Sequence, residues 1–144
     1  MIDNVSLKRD SNGKPYAEDL PGSFNLSHSG NFTALYINPF SPDAGCDLQL
    51  VSGKYSEEEI AELCFQPEER SFSDNFFFLW TLKEALLKAR GLSVFDMKDI
   101  SVISEISHFR SWEMDTGPAL YYLSVYPVSG PVSICCPYPL RQLL

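Results

Sequence analysis

The sequence is poor in features that mark several common classes of protein. It has four cysteines, none of them in a C-x-x-C pair, and the vicinal Cys135 and Cys136 lie in an apolar run that is poor spacing for a metal site. We interpret these cysteines as free thiols of a reducing compartment. No apolar run approaches the ~18 residues that span a bilayer, and residues 1–10 lack the apolar centre of a secretory signal. We therefore expect a cytoplasmic protein without membrane association.

Cationic side chains are also scarce. The chain has 11 Lys and Arg against 19 Asp and Glu, and its net charge is −8. This balance opposes general binding to nucleic acid, because it cannot neutralise a run of phosphates. A few lysines can still converge on one small anionic ligand. The length of 144 residues and the hydrophobic fraction of 44% fit a single domain with its own core.

The hydrophobic pattern divides the chain into an arm and one domain of mixed helices and strands. Residues 1–23 are polar and contain glycines and prolines, which indicates an arm with turns. Residues 24–144 form the predicted domain. Its strands are predicted at 32–38, 44–51, 100–105, 109–114, 119–126 and near 132–136.

Two helices are predicted between the strands. A capping-box pattern at Ser56 opens a short helix that ends before Pro67. A longer helix begins at one of the cap residues 73–75, runs through Arg90 and ends at Gly91. The longer helix is the strongest helical signal in the chain, because its apolar residues recur at helical spacing.

Two acidic residues are candidates for a divalent cation site. Asp47 lies on a predicted strand and Glu84 in the middle of the longer helix. Two carboxylates brought together repel each other unless a cation or a proton intervenes, and carboxylate oxygens suit Mg²⁺. Gln49, two residues after Asp47, offers a neutral oxygen. The alternative is that both acids are solvated surface charges, which the pattern alone favours.

Lysine, serine and histidine side chains are candidates for binding phosphate. Lys83 and Lys88 share the longer helix, and Lys88 lies one turn after the helical glutamate. That spacing suits an ordinary salt bridge as well as a contact with a phosphate oxygen. Lys14 stands between a glycine and a proline, and Ser27 and His28 follow further along. Each signal is weak alone, since such a turn and a single histidine between serines are common in structural roles.

Taken in order, these motifs resemble the 4'-phosphopantetheinyl transferase superfamily. The motifs are G-K-P at 13–15, F-N-L-S-H-S at 24–29, G-C-D at 45–47 and W-T-L-K-E-A-L-L-K at 80–88. The closer likeness is to the type that activates non-ribosomal peptide synthetases. The resemblance implies an α+β fold, with a single lobe in which a small antiparallel sheet packs on a long helix. It also implies Mg²⁺-dependent transfer of the 4'-phosphopantetheine group of coenzyme A to a serine of an apo carrier protein, of acyl, peptidyl or polyketide type, with release of 3',5'-ADP.

The resemblance implies a role for each residue that matches a motif. The implied metal ligands are Asp47 and Glu84, with Gln49 beside them. The implied catalytic residues are Asp47, Glu69, Glu84 and Lys88. The implied residues that bind coenzyme A are Lys14, Ser27, His28 and Lys88, and we add Lys83 because it shares the longer helix with Lys88. Either Glu84 or a metal-bound water takes the proton of the carrier serine, and the sequence leaves both open.

Two features depart from the synthetase-activating type. Gln49 stands where that type usually has a third acid, which predicts weaker Mg²⁺ binding. That type also has two similar lobes with coenzyme A between them, whereas here a short arm precedes Gly13. The small holo-acyl-carrier-protein synthases complete their site between subunits, so we expect a homo-oligomer.

Two other functions compete with transfer. One is a non-catalytic relative that binds coenzyme A or a carrier protein. The other is a different Mg²⁺-dependent phosphotransferase, which lacks support because no G-x-x-x-x-G-K-[ST] loop is present.

Overall fold

A four-stranded antiparallel sheet and one long helix form the centre of the fold. The computed structural model describes residues 5–144. The strands are β1 (Leu7–Arg9), β2 (Pro15–Ala17), β3 (Ser23–Ser29), β4 (Phe32–Asn38), β5 (Gly45–Leu50), β6 (Arg110–Asp115), β7 (Leu120–Tyr126) and β8 (Leu140–Gln142). The helices are α1 (Glu57–Cys64), α2 (Pro67–Phe72) and α3 (Phe76–Arg90), followed by 3-10 turns at Val94–Asp99 and Ile103–His108. The central sheet has the order β5-β7-β6-β8, and β1–β2 and β3–β4 are separate antiparallel pairs.

Helix α3 packs on one face of the central sheet. It begins at Asn75, whose side chain accepts a hydrogen bond from the Phe78 N–H at 3.1 Å. It ends at Gly91, whose φ of 67° is the left-handed conformation that glycine adopts without strain. Its apolar residues, including Leu82 and Leu86, form a buried cluster with Tyr122 of β7. The apolar face of α3 therefore lies against the sheet.

The β3–β4 hairpin covers the edge of β5 through side chains instead of a backbone ladder. Alternate side chains of β3 accept hydrogen bonds from alternate backbone N–H groups of β5. The pairs are Asn25 with Cys46, Ser27 with Leu48 and Ser29 with Leu50, each at 2.9 Å. An edge strand needs such cover because its unpaired N–H groups otherwise lack partners. Asp47 is consequently enclosed between α3 and the hairpin.

The α+β architecture predicted from the sequence is confirmed. The strands predicted at 32–38, 44–51, 109–114 and 119–126 correspond to β4, β5, β6 and β7. The two predicted helices are α1 and α3, and Gly91 ends α3 as expected. Ser56 precedes α1 at the predicted position, although within residues 5–144 its side chain makes no capping hydrogen bond.

Two predicted strands are wrong. Residues 100–105 form irregular backbone and a 3-10 turn, because their polar groups bind side chains: the Val102 N–H donates to Glu69 at 2.9 Å, and the Ile100 carbonyl accepts from Lys83 at 2.8 Å. Residues 132–136 form no regular element, although Val132 packs on a buried cluster, and the fourth strand of the sheet is β8 further along the chain.

The N-terminal arm is more ordered than predicted. Within it β1 and β2 pair as a hairpin, and Lys14 donates to the Ala89 carbonyl of α3 at 3.4 Å. Residues 1–4 of the predicted arm lie outside the described residues, and the boundary at residue 23 stays a prediction. None of the helices within residues 5–144 is long and apolar enough to cross a membrane.

Candidate active site

Asp47 lies at the centre of the candidate site, on β5 and 6% exposed. Its Oδ1 accepts hydrogen bonds from Lys88 Nζ at 2.6 Å and from Ser27 Oγ at 3.1 Å. Its Oδ2 is buried and has no hydrogen-bond partner among residues 5–144. Burial raises the pKa of Asp47, and the Lys88 ammonium and the two hydrogen bonds oppose that rise. A buried carboxylate oxygen without a partner is costly, so this atom points to a ligand.

Ser27 and Lys88 hold the carboxylate of Asp47 in place. The Ser27 hydroxyl donates to Asp47 while accepting from the Leu48 N–H at 2.9 Å and from Lys88 at 3.2 Å. Lys88 also donates to the Cys46 carbonyl at 3.1 Å, and its side chain is 29% exposed. The ammonium of Lys88 is therefore held by three protein acceptors. Its side chain is still partly open to solvent, so a phosphate oxygen can reach it.

Gly45 brings β5 close to α3. A Cβ built on Gly45 would overlap the Ala85 carbonyl oxygen and lie 2.7 Å from the Ala89 backbone nitrogen. Only glycine permits this approach, which places Asp47 against the face of α3 that carries Glu84 and Lys88. The sequence motif contains this glycine, but its packing role was missed.

Glu84 is the second carboxylate of the site. It is half-buried on α3, one turn before Lys88. Burial raises its pKa, and the negative charge of Asp47 raises it further, while Lys88 opposes the rise. Two neighbouring carboxylates resist being ionised at the same time, and a cation between them removes this repulsion.

The donor set fits a magnesium ion. Asp47 and Glu84 supply carboxylate oxygens, and Gln49 lies two residues after Asp47 on β5. Mg²⁺ needs few protein ligands when waters and phosphate oxygens complete its octahedron. Among residues 5–144 no group of three or more His, Cys, Asp or Glu side chains is placed to hold a metal, so the two carboxylates would depend on such additional oxygens.

The structure does not bring Lys83 and Glu69 to this cluster. Their side chains are fully buried and form an ion pair at 2.7 Å. Glu69 also accepts from the backbone N–H groups of Gln66 and Val102 at 2.8 and 2.9 Å. Burial lowers the pKa of Lys83, and the bond to Glu69 opposes that shift. In this structure Lys83 and Glu69 therefore form a buried ion pair of their own, and the roles predicted for them in binding and catalysis stay predictions.

Lys14 and His28 lie outside the cluster of Asp47, Ser27 and Lys88. Lys14 is at the C-terminal end of α3, where burial lowers its pKa. His28 is exposed on the outer face of the hairpin, because side chains alternate along β3 and Ser27 points inward. Among residues 5–144, the hydrogen bonds to Asp47 come from Lys88 and Ser27 and not from Lys14 or His28.

The fold and the site define an α+β protein with paired carboxylates beside a lysine, a set suited to a phosphorylated ligand and a divalent cation. The chain belongs to the 4'-phosphopantetheinyl transferase superfamily, whose sequence profile matches residues 37–128. The matched range includes Asp47, Glu84 and Lys88.

Curated relatives carry the name of this family. The chain is 32% identical over 100 residues to the 4'-phosphopantetheinyl transferase psf-1 of Bacillus pumilus, which covers 65% of the chain and 42% of the relative. It is 31% identical over 136 residues to the 4'-phosphopantetheinyl transferase HetI of Nostoc sp., an alignment that covers 85% of the chain and 56% of the relative. It is 32% identical over 98 residues to the 4'-phosphopantetheinyl transferase AcpT of Escherichia coli K12, an alignment that covers 61% of the chain and 50% of the relative. The chain thus spans about half the length of the curated relatives it matches.

Proposed function

We propose that this chain transfers the 4'-phosphopantetheine group of coenzyme A to a serine of an apo carrier protein. The observation that supports this most is the buried Oδ2 of Asp47, which has no hydrogen-bond partner among residues 5–144 and lies near Glu84 and the partly exposed Lys88. The names of the relatives support the reaction class. A cytoplasmic location, where coenzyme A and carrier proteins meet, is part of the proposal.

Asp47 and Glu84 would hold Mg²⁺, with Gln49 as a neutral third group. The ion would neutralise charge on the pyrophosphate of coenzyme A. Lys88 would contact a pyrophosphate oxygen through its exposed side. Lys14 would approach the nucleotide phosphates from the C-terminal end of α3.

Ser27 and His28 have different proposed roles. Because the Ser27 hydroxyl is already engaged with Asp47, Lys88 and the Leu48 N–H, we assign it to positioning Asp47 instead of binding the nucleotide. His28 would contact coenzyme A from the outer face of the hairpin.

The proposed reaction is a displacement at phosphorus. The oxygen of the carrier serine forms a bond to the phosphorus that carries pantetheine, the bond from that phosphorus to the ADP oxygen breaks, and 3',5'-ADP leaves with the electron pair. The serine proton must pass to a base. Glu84, or a water held by the ion, would be the candidate.

The test is incubation of the protein with coenzyme A, Mg²⁺ and a panel of apo acyl, peptidyl and polyketide carriers, read by intact mass. We expect at least one carrier to gain one phosphopantetheine group, and Asp47→Asn and Glu84→Gln to lose this activity by at least a hundredfold. Binding of coenzyme A by the wild type without any mass gain would favour the non-catalytic alternative. Near-normal transfer by either variant would contradict the assigned carboxylates.

Gln49 allows a graded version of this test. A carboxylate at this position would bind Mg²⁺ more tightly than the amide does. We expect Gln49→Glu to lower the Mg²⁺ concentration for half-maximal transfer several-fold. An unchanged Mg²⁺ requirement would remove Gln49 from the proposed ligand set.

We further propose that the chain acts as a homo-oligomer. The outer face of the β3–β4 hairpin exposes Leu26, Leu35 and Ile37, which are 46%, 57% and 63% exposed, and Leu26 pairs with Leu35 across the strands. A second copy that covers this face would place a surface next to His28. Sedimentation should give a dimer or trimer that Leu35→Glu dissociates and Leu63→Glu, at an exposed position on α1, does not. A monomeric wild type that binds coenzyme A would contradict this proposal.

A further inference from the structure

Three hydroxyl side chains form a buried cluster between helix α3 and the central sheet. They belong to Thr81 of α3, Ser111 of β6 and Ser124 of β7, and each of these residues is 0% exposed. Ser124 Oγ lies 2.8 Å from Thr81 Oγ1 and 2.9 Å from Ser111 Oγ. A buried hydroxyl is costly unless it is hydrogen-bonded, so each of the three depends on the others or on the backbone for a partner.

The hydroxyl cluster adjoins the carboxylate of Asp47. Ser124 is the residue directly opposite Asp47 in the pairing of β5 with β7. Directly opposite residues of an antiparallel pair share one face of the sheet and have Cβ atoms about 5 Å apart. Both side chains lie on the face that α3 covers, because Lys88 bonds to Asp47 and Thr81 bonds to Ser124. A rotation about the Cα–Cβ bond of Ser124 would therefore bring its hydroxyl within reach of the carboxylate.

The Ser124 hydroxyl is nevertheless not bonded to Asp47. The buried Oδ2 of Asp47 has no hydrogen-bond partner in the part of the chain that the structure describes, residues 5–144. On the other side of the carboxylate, Ser27 donates to Oδ1 at 3.1 Å. Two serines thus flank one carboxylate, and one of them bonds to it. The difference requires a cause, because a buried carboxylate oxygen and a neighbouring hydroxyl ordinarily pair.

The number of protons in the cluster supplies this cause. Thr81 also bonds to the Phe78 carbonyl at 3.0 Å, and Ser111 to the Leu123 carbonyl at 3.1 Å. The hydroxyls therefore take part in four contacts, two with carbonyls and two with each other. Each hydroxyl has one proton to donate, so three protons serve four contacts. Turning the Ser124 proton toward the neighbouring carboxylate would leave two of these contacts without a proton instead of one.

We propose that Thr81 and Ser111 are positioning residues, which hold the Ser124 hydroxyl away from Asp47 and so leave Oδ2 open to a cation. The inference rests on the proposed function for the role of Asp47 as a metal ligand. A carboxylate oxygen uses the same lone pairs to accept a hydrogen bond and to coordinate a cation, so a hydroxyl bonded to Oδ2 competes with Mg²⁺. Ser27 does not compete in this way, because it bonds to Oδ1.

The test measures Mg²⁺ binding by the protein alone, without coenzyme A or a carrier. Titration calorimetry gives the affinity, and the rise in Tm of each variant above its own value without Mg²⁺ gives a second measure. The double variant Thr81→Val with Ser111→Ala removes both neighbours of the Ser124 hydroxyl. We expect it to bind Mg²⁺ about tenfold more weakly, the effect of one competing hydrogen bond to a charged group. Each single variant keeps one neighbour and should lose about threefold.

Adding Ser124→Ala to the double variant separates positioning from a general loosening of α3 on the sheet. We expect the triple variant to recover Mg²⁺ affinity to within about twofold of the wild type, because the competing hydroxyl is gone. Loosening predicts the opposite, since the third substitution removes one more polar contact. The matched control is Thr116→Val, which removes a hydroxyl that donates to the Ala119 carbonyl at 2.9 Å in the turn between β6 and β7. This control should leave Mg²⁺ affinity unchanged.

Unchanged Mg²⁺ affinity in the double variant would overturn the inference, and so would a triple variant that binds Mg²⁺ no better than the double variant. If the double variant fails to fold, Thr81→Val and Thr81→Val with Ser124→Ala give the same comparison with the smaller effect. A wild type that binds no Mg²⁺ would overturn the inference together with the proposed metal ligands. A wild type that binds Mg²⁺ and transfers nothing would contradict the proposed transfer alone, so the two failures are distinguishable.

Discussion

Lys88 Nζ lies 2.6 Å from Oδ1 of Asp47, while the other oxygen of the same carboxylate, Oδ2, is buried and has no partner within residues 5–144. One oxygen is thus held by the protein and the other is left for a ligand. Burial disfavours the charged form of Asp47, and the positive charge of Lys88 opposes this effect. A buried carboxylate without such a partner would be much less favourable. The candidate site is therefore organised before any cation or substrate arrives.

Ser27→Ala is expected to disturb this organisation. The variant removes a hydrogen bond to Asp47 and the acceptor for the buried Leu48 N–H, which should cost about 1–3 kcal/mol in the free energy of unfolding. Because the lost bond lowers the pKa of Asp47, the acidic limb of the pH profile of transfer should move to higher pH. Urea unfolding and initial rates between pH 5 and 8 measure the two effects.

Ser29→Ala is the matched control for Ser27→Ala. In the wild type, the Ser29 hydroxyl accepts a hydrogen bond from the Leu50 N–H at 2.9 Å, as the Ser27 hydroxyl does from the Leu48 N–H. Ser29→Ala should therefore lose similar stability and leave the pH profile in place. Equal shifts of the pH profile in both variants would mean that the hairpin as a whole, and not the hydrogen bond from Ser27, determines the pKa of Asp47.

Gly45→Ala is expected to separate β5 from α3. The added methyl group would overlap the Ala85 carbonyl oxygen, and backbone atoms cannot yield as the end of a side chain does. We expect a loss of about 3 kcal/mol or more in the free energy of unfolding, together with a loss of Mg²⁺-dependent activity. Gly53→Ala, where a Cβ meets no atom within 4 Å, should change stability by less than about 0.5 kcal/mol. A stable and active Gly45→Ala variant would contradict the close approach.

The sequence predicted the long helix and the central strands well because their apolar residues follow the period of the element. Leu82 and Leu86 repeat at helical spacing and are buried on the sheet, and Gly91 ends the helix by a conformation that its residue type permits. The pair Asp47 and Glu84 came from motif order alone. Their spacing in the sequence contains no information on their proximity, which depends on the contact at Gly45.

Strand β3 was missed because its pattern is inverted. Its inward residues are Asn25, Ser27 and Ser29, which bind the backbone of β5, and Leu26 points outward. A rule that places apolar residues inside cannot recognise such a strand. Residues 100–105 were misjudged for the opposite reason, since side chains of Glu69 and Lys83 bind the backbone groups that a strand would have paired.

Lys83→Met is expected to leave Glu69 as an unpaired buried charge. The loss should be about 3–5 kcal/mol in the free energy of unfolding. The double variant Lys83→Met with Glu69→Gln removes the charge and keeps a side-chain oxygen for the Val102 N–H, so it should recover much of that loss in urea unfolding. It should also bind coenzyme A within twofold of the wild type. Loss of binding in the stable double variant would restore Lys83 as a contact to the donor.

Glu84→Gln is expected to stabilise the fold without Mg²⁺ while abolishing transfer. Burial and the charge of Asp47 raise the pKa of Glu84 above its ordinary value of 4.5, so ionisation is less favourable in the folded than in the unfolded protein. The wild type therefore loses stability as pH rises from about 4.5 to the raised pKa, and the loss is constant above it.

The difference in Tm between Glu84→Gln and the wild type, measured in EDTA, should be small at pH 4 and grow to a plateau by pH 8. Mg²⁺ should raise the Tm of the wild type and narrow the difference, because the ion relieves the repulsion that the substitution removes. Glu62→Gln, an exposed acid on α1, is the control and should show no such pH dependence. A Glu84→Gln variant that is less stable than the wild type at pH 8 in EDTA would mean that Asp47 and Glu84 do not oppose each other's ionisation.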